Sequence, residues 1–352
     1  MSFTRLRRSL VAVGLAAAVA GSTLVPSAAS APAGRPIVKN LLSPLSVAVT
    51  DTGSVFFSEN FAGKLYYRAP GKAPRVVYQT AGEVGGVSVE NGVVYFIANT
   101  RVMRKAPGRP ARAIADLNAF ETAHNPDKGI RYGAVGLSDD CKAQWPTGPE
   151  VPPASYPGIV ESHPYATAVR NGTVYVADAA ANAVFRVRSG KVSTVAVLPP
   201  VQVPITAKLA ASAGFPVCAI GKSYRFEGVP TDVEIRRGQL YVSSLPGGPE
   251  DGTAPGSVWR LNLATGGRTR ILNGLVSATG VAVSGNGTVY VSELFAGRIT
   301  RLSPAGRRST FVRTALPSAV EVHGGYLFVT DNVLSGLAPG EAPAGRLVRY
   351  PR

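Results

Sequence analysis

The sequence predicts an all-β fold: a six-bladed β-propeller of four-stranded antiparallel blades, closed by an N-terminal strand that completes the last blade. Three observations lead there. An apolar run with an aromatic in second place returns six times: VFFSE (55–59), VYFIA (94–98), VYVAD (174–178), LYVSS (240–244), VYVSE (289–293) and LFVTD (327–331). Each follows a run ending at Val49, Val89, Val169, Ile235, Val283 or Val322, and the undecorated spacing between these ends is 39 or 40 residues, the length of one propeller blade. The chain ends also complement each other. The last unit stops at GRLVRYPR (345–352), a third strand with no fourth, while RPIVKNL (35–41) matches the fourth-strand segment RSTFVRT (308–314). Pairing the first strand with the last removes two open edges.

Residues 1–31 read as a secretory signal. Arg5, Arg7 and Arg8 precede a short apolar stretch at 10–20, and Ala29-Ser30-Ala31 or Ser27-Ala28-Ala29 offers a cleavage site. A retained N-terminal anchor is the alternative. No other segment is apolar for long enough to span a bilayer, so the processed chain is expected to be secreted and extracellular, with no transmembrane segment.

Residues 32–352 then form the propeller. The unit at 277–313 displays the blade most plainly. Its strands are a (280–283), b (288–292), c (298–302) and d (310–313), rich in the β-branched and aromatic residues that suit a pleated surface. Gly285-Asn286-Gly287 and Ser303-Pro304-Ala305-Gly306 supply the turns. Four departures break the period: insertions at 118–162 and 199–229 between strands d and a, and long b–c loops at 245–256 and 332–344. In a four-stranded meander these connections emerge on one face, here called the top, where long loops on a rigid scaffold usually carry binding. The only cysteines, Cys141 and Cys218, lie one in each insertion. In an exported chain that pattern predicts a disulfide.

The net charge is +16, falling to +13 if the leader is removed with its three arginines. Such a balance could favour an anionic partner in the cell envelope. The basic residues are spread along strands without the interleaved aromatics that single-stranded nucleic acid requires, so no nucleic-acid partner is expected. Seventeen of the twenty-one acids fall in or near the top loops, the exceptions being Asp51, Glu90, Glu234 and Glu321. A top more acidic than the underside follows. A monomer is expected.

Five residues are candidate ligand contacts at the top mouth of the central channel: Glu161, His163 and Tyr165 around the entry to the third blade, and Glu227 and Asp232 around the entry to the fourth. A histidine beside carboxylates can act as base or metal ligand; it can equally anchor loops. Glu59, Asp178 and Glu293 end b strands and precede Gly63, Asn182 and Gly297 by four residues. They could hold backbone N–H groups in the turn, or form a ring around a divalent cation. Tyr132, Trp145, Tyr156, Phe215 and Tyr224 could line a cleft or form a small core within the insertions. No G-x-S-x-G, H-E-x-x-H, phosphate loop or C-x-x-C motif is present in the sequence.

The blades resemble the NHL and TolB-like six-bladed propellers through GTVYVAD (172–178), then Asn182 and an apolar c strand. The insertion motifs NPDKGIRYGAVGLSDDC (125–141), ESHPYATAV (161–169), FEGVPTDVE (226–234) and SSLPGGPEDG (243–252) are similar to those of the ScyD/ScyE family of secreted bacterial propellers. That resemblance implies the fold and export, and little chemistry. Related folds include gluconolactonase-type metal hydrolases and streptogramin lyases, whose site residues do not map onto this chain. The expectation is therefore a secreted propeller that binds a small ligand or a protein or cell-envelope partner on its top face without catalysis. The alternative is a divalent-metal-dependent, lactonase-like hydrolase or lyase at the channel mouth. No cofactor is firmly implied; Ca2+ or another divalent cation is the one the acids could hold.

Overall fold

A computed structural model describes residues 32–148 and 151–352. The leader expected at 1–31 lies outside the described residues. Among the described residues the strands group into seven four-stranded antiparallel sheets. Six of them are blades. Their innermost strands are Val47–Val49, Val84–Glu90, Pro164–Arg170, Gly228–Arg236, Ala278–Val283 and Val320–His323. Each packs against the next, and the last packs against the first, so the ring closes at six.

The sixth blade is closed as the chain ends predict. Strand Arg35–Leu41 pairs with Gly345–Pro351, with Arg35 opposite Arg349 and Leu41 opposite Gly345. Val38 and Leu41 are buried against Leu347 and Phe328 of that blade, and against Val55 and Phe57 of the first. Apolar sandwiches of this kind recur between neighbours. Ile97 and Val102 of blade 2 meet Val176 and Phe185 of blade 3. Each large side chain so buried contributes about 1.5–3 kcal/mol.

Where inner strands crowd the axis, small residues are required. A Cβ on Gly280 would stand 2.3 Å from the carbonyl oxygen of Ser318 in the next blade. The b–c turns need a left-handed residue, and Gly63, Asn182 and Gly297 supply it with φ of 64°, 51° and 59°.

The acids that end the b strands hold these turns and the entry to strand a. Glu59 accepts the Leu42 N–H at 2.9 Å, Asp178 the His163 N–H at 2.7 Å, and Glu293 the Val276 N–H at 2.9 Å. They are thus spent within their own blades rather than gathered around a cation. Glu293 is fully buried and also takes both Arg298 donors, at 2.7 and 2.8 Å, and the Thr300 hydroxyl. Burial would raise its carboxyl, but these donors outweigh it and hold the group below its ordinary value. Its contribution is therefore present at neutral pH and lost as pH falls through that depressed value. Replacing Glu293→Gln leaves Arg298 without its counter-charge, and a loss of about 2–4 kcal/mol in urea unfolding is expected. An unchanged midpoint would show that the pair is ornamental.

The seventh sheet is built from the two insertions, which the sequence presents as long loops. Its strand order is Ser155–Pro157, Arg131–Val135, Ser223–Phe226 and Val201–Pro204. The central pairing, Gly133 with Arg225 and Ala134 with Tyr224, joins one insertion to the other. Helix α1 (Leu117–His124) packs against blades 2 and 3, while α2 (Asp139–Ala143) and α3 (Ala207–Ala213) pack into this cap. Cys141 and Cys218 form a disulfide across it. Trp145, Tyr224 and Phe226 are buried beneath, with Phe215 packed against them. Among the described residues no helix is long and apolar enough to cross a membrane.

Candidate functional site

Successive side chains of a strand point to opposite sides, so alternate residues of each inner strand face the central channel. The channel and its capped mouth form one cavity of about 970 Å³. All six inner strands line it, as do Phe215, Tyr224 and Phe226 of the cap and the b–c segment Leu245–Glu250 of blade 4.

The five candidate contacts all border this cavity. Glu161 is exposed at the rim. His163 stands beside it, its ring 4.9 Å from that of Tyr165 and its Nε2 3.1 Å from Glu83 Oε2. Burial alone would push the imidazole down; the Glu83 hydrogen bond and the charges of Glu83, Asp178 and Glu161 outweigh it and raise the group. Glu227 sits at the cap edge, pushed up to about 7 by burial and by the charges of Asp127 and Glu161. Asp232 lies deeper. It accepts the Val233 N–H at 2.8 Å and the Val281 N–H of blade 5 at 2.8 Å, so one side chain clips two blades and faces the channel.

Three further acids border the cavity that sequence reasoning had not assigned to it. Glu234 follows Asp232 by two residues on the same strand, and Glu321 projects from blade 6. Both were set apart from the top-face acids because they lie within strands; the strand register turns them to the axis. Their mutual repulsion is evident. Glu321 is pushed up to about 8 by burial and then by the Asp232 charge. Glu234 is raised well above its ordinary value by burial, Glu321 and Asp232, with Arg236 pulling the other way. Asp232 is raised to about 7 by burial despite its two N–H donors. Glu250 at the mouth reaches about 7 through burial. Two acids two positions apart on an inner strand were the available signal.

The wall therefore carries six carboxylates: Glu161, Glu227, Asp232, Glu234, Glu250 and Glu321. Among the described residues no lysine or arginine lines it. Aromatic rings at Phe61, Tyr165, Phe215, Tyr224, Phe226 and Phe295 line it among aliphatic side chains. Among the described residues no three His, Cys, Asp or Glu side chains gather closely enough to hold a metal ion. His124 and His323 take no part: His124 stacks on Phe120 at the end of α1, and His323 ends an inner strand away from the cap.

The folded chain is similar to known propellers. A gluconolactonase from Xanthomonas campestris matches with a TM-score of 0.53 at 12% identity, over 89% of this chain and 88% of that one. The PQQ-bound aldose sugar dehydrogenase of Streptomyces coelicolor matches with 0.54 at 11%, over 92% and 99%. Virginiamycin B lyase from Staphylococcus aureus matches with 0.51 at 12%, over 90% and 98%. These likenesses establish the β-propeller fold. No family model matches the chain, and no curated relative does.

Proposed function

We propose that this chain is an exported binding propeller whose channel takes a small organic cation with an apolar body. The observation that carries this reading is the wall chemistry: among the described residues, six carboxylates and no cationic side chain but His163, in a chain of net charge +16. A positive ligand relieves the repulsion among Asp232, Glu234 and Glu321, and aromatic faces at the mouth attract ammonium groups. The disulfide and the leader-like sequence support an extracytoplasmic site of action. The insertion motifs support kinship with the ScyD/ScyE proteins, a finer assignment than the fold alone carries. PQQ, the cofactor of the Streptomyces neighbour, is a tricarboxylate, and an acidic wall without arginine or lysine does not suit it.

The pH dependence follows from the raised groups. Asp232 and Glu250 near 7 and Glu321 near 8 are partly protonated at neutral pH in the free protein. A cation favours their ionised forms, so binding releases protons. Affinity should climb from pH 6 to pH 8.5, by up to about tenfold per pH unit for each proton released. The test is calorimetric titration with a panel of alkyl and quaternary amines against matched carboxylates of equal size. Amines are expected to bind, and Glu234→Gln with Glu321→Gln to weaken them at least about tenfold and flatten the pH profile. Equal binding of the carboxylates, or a double variant that binds as well as the parent, would overturn the reading.

A further inference from the structure

A second group of buried polar side chains lies where α1 and the turn after it meet the b–c turn of blade 3. Helix α1 places Glu121 inward, fully buried, and both its carboxylate oxygens lack any hydrogen-bond partner. Asn125 closes the helix in a left-handed conformation, its N–H donating to the Glu121 carbonyl at 2.7 Å. Its Nδ2 donates to the Gly158 carbonyl at 3.1 Å, which leaves Oδ1 buried and unpartnered. Asp127, fully buried, accepts the Tyr132 hydroxyl at 3.1 Å and Asn182 Nδ2 at 3.0 Å, both through Oδ2. Its Oδ1 and the Oδ1 of fully buried Asn182 are unpartnered as well.

Five buried acceptor oxygens on these four residues thus have no donor. An unmet buried acceptor costs about 1–3 kcal/mol, and native interiors carry few of them. Protonating Glu121 would supply only one donor. A hard cation takes six to eight oxygen ligands from carboxylates and amide carbonyls, which is the chemistry assembled here.

The geometry points to a structural Ca2+ site held by Glu121, Asp127 and the amide oxygens of Asn125 and Asn182, fastening the first insertion to blade 3. Two carboxylates and two amides make up this set, so it is distinct from any cluster of three acids or histidines. The site does not rest on the channel reading, and each can fail without the other.

The test uses the full chain, stripped with EDTA and reloaded with CaCl2. Elemental analysis is expected to find one Ca2+ per chain, with a melting temperature that rises and saturates as Ca2+ is added. Glu121→Gln keeps the side-chain shape and removes a ligand charge. Because outer-shell changes alone commonly cost about 10–100-fold, its Ca2+ affinity should fall by more than about a hundredfold. Glu321→Gln in the channel should retain the ion. Should Glu121→Gln fail to fold, Tb3+ provides a readout on the unaltered protein: Tyr132, bonded to Asp127, should sensitise its emission, and Ca2+ should quench it by displacement. Absence of bound Ca2+ with no thermal response, Tb3+ emission that Ca2+ leaves unchanged, or Ca2+ lost in Glu321→Gln but kept in Glu121→Gln would each overturn the proposal.

Discussion

Deleting residues 32–41 is expected to unfold the propeller rather than trim it. The deletion removes the fourth strand of blade 6 and leaves Gly345–Pro351 as an open edge. Val38 and Leu41 go with it, which removes about 3–6 kcal/mol of burial. Leu347, Val348 and Tyr350, all less than 10% exposed, lose cover on one side. Net stabilities of native domains are about 5–15 kcal/mol, so the loss is comparable to the whole. The same strand packs on Val55 and Phe57 of blade 1; its removal loosens two blades where the ring closes. Thermal unfolding followed by circular dichroism decides the matter. A truncated chain that melts cooperatively within a few degrees of the intact one would show that closure does not depend on this strand.

What the sequence makes legible follows from how each feature is encoded. Blades are local: a period-2 apolar strand, a turn residue and the next strand lie close together, and sixfold repetition reinforces each copy. The missing fourth strand after Arg352 could be matched to 35–41 because RPIVKNL shares with RSTFVRT a basic first residue, a central apolar pair and a second basic residue. The cap sheet is of another kind. Its strands, RYGAV, SYP, VQVP and SYRF, are short, two carry proline, and the central pair joins separate insertions. Nothing local marks such a pairing. The channel acids pose a register problem. Glu234 and Glu321 were visible as acids in strands, but a shift of one residue would turn them toward a neighbouring blade instead. Glu121 is the least legible of all. In LNAFETAH it occupies an ordinary helical position, and only tertiary placement encloses it with Asp127 and Asn182.

Severing the Cys141–Cys218 link should produce the second large effect, with a different spatial pattern. The bond closes a loop across a separation of 77 residues. Chain-entropy arguments assign such a closure about 4–5 kcal/mol, an upper value because reduced chains retain some structure. That loop contains the whole of blade 3, so unfolding any part of it is resisted by the tether. The cap depends on it more directly. Cys141 follows the strand Arg131–Val135 and Cys218 precedes Ser223–Phe226, the two strands whose pairing unites the insertions. Replacing both cysteines with alanine should therefore lower the melting temperature. It should also raise hydrogen exchange at 131–135 and 223–226 before it does so in the b strands of the blades, whose side chains are sealed between neighbours. Since Phe215, Tyr224 and Phe226 of the cap wall the channel mouth, binding of an amine in the channel should weaken alongside. Exchange rising uniformly through blades and cap would mean that the bond braces the ring itself. An unchanged melting temperature would mean that the strand pairing holds the cap without it.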